Sequence, residues 1–275
     1  MVSIIVPAYN EEHFITHLLE TVKKQTYKDI EVIVADNHSR DKTRALARKY
    51  GARVVDGGIP SVARNRGAEV ARGRYFLFVD ADQELPPTFV TRVVKKVQQK
   101  DIDICVPQLK PLNEKNFFYA LIFKFHAVYL KVMQRIKPQG SGACIFATRA
   151  LHNSIGGFDE TRRLSEDHDY ILRAARIGRF SVLREVHVNF SVRRMHDEGL
   201  VLSLYKIIKA AMLHIFTGKA DEKVEYEFGK FQHNYAASGK RPEGQKLKQS
   251  FAEFITNFIS RFVRKLYYLK NRKEM

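Results

Sequence analysis

Two hydrophobic periods alternate along the first part of the chain. Short apolar runs occupy Val2–Val6, Ile30–Ala35, Ala52–Val55 and Arg74–Val79. Each has the length of a strand, and the run ending at Val79 is apolar on successive residues, the pattern of a strand buried on both faces. Between them, about 11–25, 40–50 and 60–71 place apolar residues at helical spacing. Pro60 near the start of the third and Gly73 just past its end frame that helix. Strands alternating with helices predict an α/β fold, a mostly parallel sheet flanked by helices. Further on, the pattern predicts a helix over about 87–100, a strand at Asp103–Val106 and a long apolar helix over about 116–136. A glycine-opened strand at Gly140–Phe146 follows, then a short helix and a turn at Gly156–Asp159. Ser165 reads as the N-cap of a helix reaching about Ile177, and Val182–Val192 as a strand pair or an extended segment. From about 199 the chain reads as helical and basic. The expected division is therefore a domain over 1–198 and a helical, basic C-terminal extension over 199–275.

In a parallel sheet, ligands bind beyond the carboxyl ends of the strands. Three polar clusters fall there: Pro7–Glu11, Asp36–Ser39 and Asp80–Asp82. If Asp80 and Asp82 continue the strand, its two-residue repeat points both to one side. Two such carboxylates repel unless a cation lies between them. A hard divalent ion, Mg2+ or Mn2+, takes oxygen ligands and bridges phosphates. The bland alternative is a solvated turn after a buried strand.

Composition narrows the classes. The chain has 275 residues, 45% of them hydrophobic, enough for one large domain with an extension. A net charge of +17 favours polyanionic partners: phosphorylated ligands, anionic membrane surfaces or nucleic acid. No zinc-finger spacing or RNA-recognition motif occurs, so nucleic acid is not expected. Neither GxGxxG nor a Walker loop is present, which disfavours dinucleotide and P-loop chemistry. Cys105 and Cys144 read as reduced core thiols. Met1-Val-Ser runs straight into a strand without a signal peptide, so the expected location is cytoplasmic. Residues 117–133 are interrupted by Lys124, His126 and Lys131 and read as a buried or interfacial helix rather than a span. Residues 200–216 and 251–269 are amphipathic, the latter ending in a basic cluster, and suit peripheral contact with an anionic membrane face.

The motifs resemble a known family. Val-Pro-Ala-Tyr-Asn-Glu at 6–11, Ala-Asp-Asn-His-Ser-Arg-Asp-Lys-Thr at 35–43, Ala-Arg-Asn-Arg-Gly at 63–67, Asp-Ala-Asp at 80–82 and Ser-Glu-Asp at 165–167 occur in the order found in family 2 glycosyltransferases with the GT-A fold. The resemblance covers about 2–195 and fades beyond 200. It implies an inverting transfer of a sugar from a nucleotide-diphosphate sugar, UDP- or GDP-linked, with Mg2+ or Mn2+. It implies that Pro7, Ala8, Tyr9 and Glu11 contact the nucleotide, that Asp36 bonds the base with Ser39 nearby, and that Arg64 lies near the phosphates. Asp80 and Asp82 match the ribose and metal pair, with Asp82 the direct ligand, and Asp167 matches the general base. Glu166 is an alternative base or orients the acceptor. Gly142 gives an acceptor close backbone approach or merely shapes a bend. His196 is a candidate metal or diphosphate ligand, and Arg193 and Arg194 are candidate phosphate partners. The acceptor is a saccharide or a lipid-linked group. The Gln/Arg-x-x-Arg-Trp motif of processive relatives is absent, and the chain has no tryptophan, so transfer of one sugar is expected rather than polymer synthesis.

The chemistry agrees with these residue types. A departing diphosphate gathers negative charge that a metal and cations neutralise. A hydroxyl becomes a good nucleophile once a carboxylate takes its proton. Two other readings stay open on sequence grounds: a nucleotidyltransferase on a similar scaffold, and a silent sugar-nucleotide-binding scaffold protein.

Overall fold

The computed structural model describes residues 1–112, 117–162, 165–193 and 195. Met1–Val192 falls in one compact unit, and Arg193 begins a second. The expected helices over 200–216 and 251–269, together with Arg194 and His196, lie outside the described residues.

Among the described residues seven strands form one sheet: β1 Val2–Ala8, β2 Ile30–Asp36, β3 Arg53–Asp56, β4 Tyr75–Val79, β5 Ile104–Pro111, β6 Cys144–Thr148 and β7 Phe180–Phe190. Their order is β3-β2-β1-β4-β6-β5-β7. The pairs β1–β2, β1–β4, β2–β3 and β5–β7 are parallel; β6 is antiparallel to both β4 and β5. The helices are α1 Ile15–Lys23, α2 Thr43–Lys49, α3 Pro60–Val70, α4 Phe89–Lys100, α5 Phe117–Ile136, α6 Arg149–Ser154 and α7 Glu166–Ile177. The predicted mostly parallel sheet flanked by helices is what the chain forms.

Continuous apolar runs became central strands because both faces are covered. Every residue of β4 is buried. On one face Ile5, Phe76 and Phe78 meet Ala68 and Ala71 beside α3 and Tyr170, Ile171 and Ala174 of α7 in a single core. Gly67 sets how closely α3 approaches the sheet, since a Cβ there would lie 2.4 Å from Ile5 Cγ2.

Three predictions are corrected. β4 ends at Val79, and Asp80–Asp82 form a turn closed by the Gln83 N–H on the Asp80 carbonyl (3.2 Å). The two-residue strand repeat therefore does not orient the acidic pair. β5 runs on to Pro111, past its predicted end at Val106; beside it, of the two readings of Val182–Val192, the extended segment holds, as the single strand β7. Ser165 is not a side-chain cap. Its backbone is left-handed (φ 59°) and its side chain makes no capping hydrogen bond. Acids in the first turn, Glu166, Asp167 and Asp169, face the positive end of the α7 dipole instead.

Cys105 and Cys144 are buried and unpaired, as expected of core thiols. Among the described residues no helix is long and apolar enough to cross a membrane.

Candidate active site

The parallel register aligns the carboxyl ends of the first strands. Ala8 sits opposite Asp36, and Asp36 opposite Asp56. Pro7 and Ala8 close β1, and Tyr9 and Glu11 follow in its loop. Because β6 runs the other way, its beginning comes to the same end of the sheet. Val79 pairs with Cys144, and the Asp80 N–H donates to the Ala143 carbonyl (3.1 Å). That reversal brings Gly142, distant in sequence, beside the acidic turn.

The loops after β1 and β2 are tied together. The Asn10 N–H donates to Ser39 Oγ (2.7 Å), which donates to Asp36 Oδ2 (2.5 Å); Asn10 Oδ1 accepts from the Arg40 N–H (2.8 Å). The Glu11 N–H donates to Thr43 Oγ1 (2.7 Å). Asn10 and His38, at φ 53° and 54°, take the left-handed turns that fold these loops over the strand ends. The Asp36 side chain is wholly enclosed, with Oδ1 accepting from the Ser39 N–H (3.0 Å) and Arg44 Nη1 (3.1 Å). Arg44 also reaches Asp56 Oδ1 (2.9 Å). Asp36 and Ser39 thus build the floor of this loop pair.

Arg64 organises the other half. It lies on the buried face of α3 with Ser61, Ala63, Gly67 and Ala68, and its side chain is only 4% exposed. Nη1 donates to Glu166 Oε1 (2.7 Å); Nη2 donates to Asp80 Oδ1 (3.1 Å) and the Gly142 carbonyl (3.3 Å). Its guanidinium sits over the Phe158 ring (5.4 Å), and Phe158 stacks on Tyr170 of α7 at 3.9 Å. Asn65, next in sequence, holds the backbone of Phe158 from both sides, accepting from its N–H and donating to its carbonyl, each at 2.8 Å. Burial opposes the charge of Arg64, but Asp80 and Glu166 more than offset it and hold the guanidinium firmly protonated.

Asp167 faces this network from the start of α7. Its Oδ2 accepts from the Gly142 N–H (2.6 Å). Its Oδ1 accepts from the His168 backbone N–H (2.8 Å) and ring Nδ1 (3.0 Å). Burial works to raise this carboxyl, but His168 and Arg64 outweigh it and hold Asp167 well below the usual carboxylate range. His168 is correspondingly raised: burial opposes its charge, and Asp167 and Glu166 favour it. Glu166 is pushed up, chiefly by burial and partly by Asp167, against the pull of Arg64.

Asp80, whose side chain stays 38% exposed, is pushed up to about 7 by desolvation, with Asp82, Glu166 and Asp167 adding to the effect against Arg64 and solvent tempering it. Negative charge is therefore in excess here. Among the described residues no group of three His, Cys, Asp or Glu side chains is placed to hold a metal. The hard oxygens of Asp80 and Asp82 suit Mg2+ or Mn2+, which commonly takes one or two carboxylates and draws its remaining ligands from phosphates and water. The donor set fits an ion carried by a diphosphate, and does not fit one held by protein alone.

The structure thus brings together Arg64, Asp80, Gly142, Glu166 and Asp167, with Asp82 in the same turn as Asp80. It places Pro7, Ala8, Tyr9, Glu11, Asp36 and Ser39 at the neighbouring strand ends. Arg193 belongs to the second compact unit, and Arg194 and His196 are outside the described residues. Sequence reasoning missed His168, Asn65, Phe158 and Arg44. His168 had a signal, since an imidazole between the carboxylates of Glu-Asp-His-Asp must meet one of them. Asp169 of the same run serves the fold, accepting from Arg173 Nε (2.6 Å).

One prediction follows from Gly142. A Cβ there would lie 2.9 Å from Asp167 Oδ2 and 3.0 Å from its Cβ. Gly142→Ala is expected to displace the carboxylate and lower kcat about ten- to a hundredfold, because misplacement by about 1 Å has that effect. Nucleotide affinity should be unchanged. Steady-state kinetics beside calorimetry checks this, and an unaltered kcat would mean that Asp167 does not need this seat.

The model of glycosyl transferase family 2 matches residues 3–186. The chain belongs to that family. It is 25% identical to an uncharacterised glycosyltransferase of Rickettsia typhi over 72% of this chain and 64% of the relative. The chain thus spans less than two thirds of that relative's length. Among solved structures it resembles Staphylococcus aureus TarS in complex with UDP-GlcNAc (TM-score 0.56, 25% identity, 69% of this chain and 58% of that one). It also shares the fold of a Pyrobaculum calidifontis mannosyltransferase in complex with GDP-Man and Mn2+ (TM-score 0.55, 22% identity, 80% and 65% covered).

Proposed function

We propose that the chain transfers a sugar, with inversion, from a nucleoside-diphosphate sugar to an acceptor hydroxyl or lipid phosphate. The observation that carries this reading is the Arg64 bridge between Asp80 and Glu166, the residue before Asp167. It joins a nucleotide half, at the ends of β1, β2 and β4, to a base half on α7. The family membership supports the class of reaction, and the TarS complex with UDP-GlcNAc supports the class of donor.

The roles follow from placement. The loop of Pro7, Ala8, Tyr9 and Glu11 receives the nucleotide, with Asp36 and Ser39 shaping the pocket for base and ribose. Asp82 and Asp80 hold Mg2+ or Mn2+ with the diphosphate; when bound, the ion supplies charge neutralisation for the leaving group. Arg64 is enclosed and its terminal nitrogens are spent on protein, so it acts on the donor through Asp80. Gly142 and His168 orient Asp167, which accepts the acceptor's proton.

Calorimetric titration of the chain with UDP-GlcNAc and GDP-mannose, with and without Mn2+, tests the donor half. Wild type is expected to bind more tightly with Mn2+. Asp82→Asn should lose about tenfold or more of that gain, since loss of even an outer partner of a metal ligand costs about as much. Equal affinity with and without Mn2+ in both proteins would remove the acidic turn from the reading.

A further inference from the structure

One face of α5 is left uncovered among the described residues. Its inner side, Tyr119, Phe123, Leu130 and Met133, is buried, and the helix lies on β5 and β7, with Phe123 against Phe190 (5.6 Å). On the outer side Leu121 is 36% exposed, Phe125 67%, Val128 56%, Val132 51% and Ile136 68%. At 3.6 residues per turn these side chains fall in one arc running along the helix. Lys124, Lys131 and Arg135 are also exposed and line one edge of that arc. No Asp or Glu occurs anywhere in α5. A continuous apolar arc of this size marks a contact surface rather than a solvated face.

The chemistry of the edge chooses the occupant. A second copy of this face would bring its own cations against the same row, and like charges across an interface oppose association. An anionic bilayer satisfies both halves. Its acyl boundary takes the phenylalanine, valine and isoleucine side chains, and its headgroups take the cations, whose methylene stems lie along the apolar surface. The net charge of +17 adds long-range attraction to the same partner. The helix also borders the base half of the site. Tyr129 Oη donates to Gln139 Oε1 (2.6 Å), just before Gly140–Gly142. His126, lowered chiefly by burial, also feels the charge of His168 beside Asp167.

We propose that the exposed face of α5 lies in the interface of an anionic bilayer, which holds the base half of the site close to the membrane. The docking itself does not depend on the transferase reading; only its use for a lipid-borne acceptor does.

The chain has no tryptophan, so Phe125→Trp places a single reporter on the arc. Its emission is expected to shift to the blue on vesicles containing phosphatidylglycerol, and to be quenched by brominated acyl chains. Phosphatidylcholine vesicles should give little change. Replacing Lys124, Lys131 and Arg135 by Gln in the same background should weaken vesicle binding about a hundredfold, roughly fivefold per cation. A reporter that stays in water while the chain binds vesicles through another segment overturns the proposal, as does a chain that binds no vesicles. Emission already blue without lipid also overturns it. A doubled mass by light scattering would then assign the face to a second copy, and an unchanged mass to another segment of this chain. Calorimetry with nucleotide sugars on the same variant, without vesicles, reports the transferase reading separately.

Discussion

Asp167→Asn is expected to lower turnover about a hundred- to ten-thousandfold, the usual contribution of a positioned base, while nucleotide-sugar affinity stays within about twofold. The substitution can keep an acceptor oxygen for the Gly142 N–H; it removes the proton-accepting charge and turns an amide nitrogen toward the His168 donors. The Oδ1 of Asp167 takes two hydrogen bonds from His168, and Oδ2 takes one from Gly142 and retains acceptor capacity for the proton. A carboxylate held well below its ordinary range by His168 is ionised at neutral pH, the state a base requires. It is also a weak base, and the chemistry tolerates that. A hydroxyl becomes strongly acidic as its oxygen bonds to the anomeric carbon, so the proton leaves late and needs only a well-placed acceptor. The acidic limb of the kcat/KM profile should therefore not arise from Asp167 in the ordinary range of aspartate. Rapid-mix kinetics with calorimetry on the variant decides the matter: turnover near wild type would move the base role elsewhere. Glu166 is the less apt candidate, because Arg64 pins its Oε1 at 2.7 Å and burial pushes its carboxyl up, whereas His168 holds Asp167 down.

How much of this was legible before the fold is clearest at particular residues. The sheet was legible because β4 is buried on both faces, which leaves an unbroken apolar run in the sequence, and because β1 and β2 are apolar but for Ser3 and Glu31. The strand-end clusters at Pro7–Glu11, Asp36–Ser39 and Asp80–Asp82 were legible for the same reason, since each begins where such a run stops. The orientation of Asp80 and Asp82 was not, because whether a strand continues for two more residues depends on its neighbour. Here the antiparallel β6 begins opposite Val79, and the chain turns there. The union of Gly142 with Asp167 was equally hidden, since it comes from strand order. Asp36 was found by its position, but its enclosure by Ser39 and Arg44 depends on how α2 carries Arg44 to the ends of β2 and β3. The buried state of Arg64 did leave a trace. Ser61, Ala63, Gly67 and Ala68 surround it at helical spacing, and a lone arginine within a stripe of small residues faces the sheet, not water.

That burial makes Arg64 the residue whose loss should cost the fold most. Arg64→Met is expected to lower unfolding free energy by roughly 3–5 kcal/mol at about pH 8, as when one partner of a buried ion network is removed. Asp80 and Glu166 would then face each other and Asp167 with no cation between them. The sign of the pH effect follows from Asp80. Its carboxyl is raised from 3.8 to about 7 in the folded chain, so between those values the native state holds a proton that the unfolded state has lost. Stability from this group therefore falls as pH rises through that window. Without Arg64 the carboxyls rise further and the fall steepens, so the variant's deficit should be smaller at about pH 5 than at about pH 8. Arg64→Lys should recover little, because one ammonium cannot reach Glu166, Asp80 and the Gly142 carbonyl in the fork geometry of a guanidinium. Urea unfolding of both variants at the two pH values measures this. A deficit within about 1 kcal/mol at both, the range of an exposed ion pair, would show that Arg64 does not hold the two halves together. Turnover separates the fold from the chemistry. If the bridge also sets Asp80 against the donor, Arg64→Lys should lose activity even where it is fully folded, with the loss appearing in kcat and in Mn2+ affinity alike.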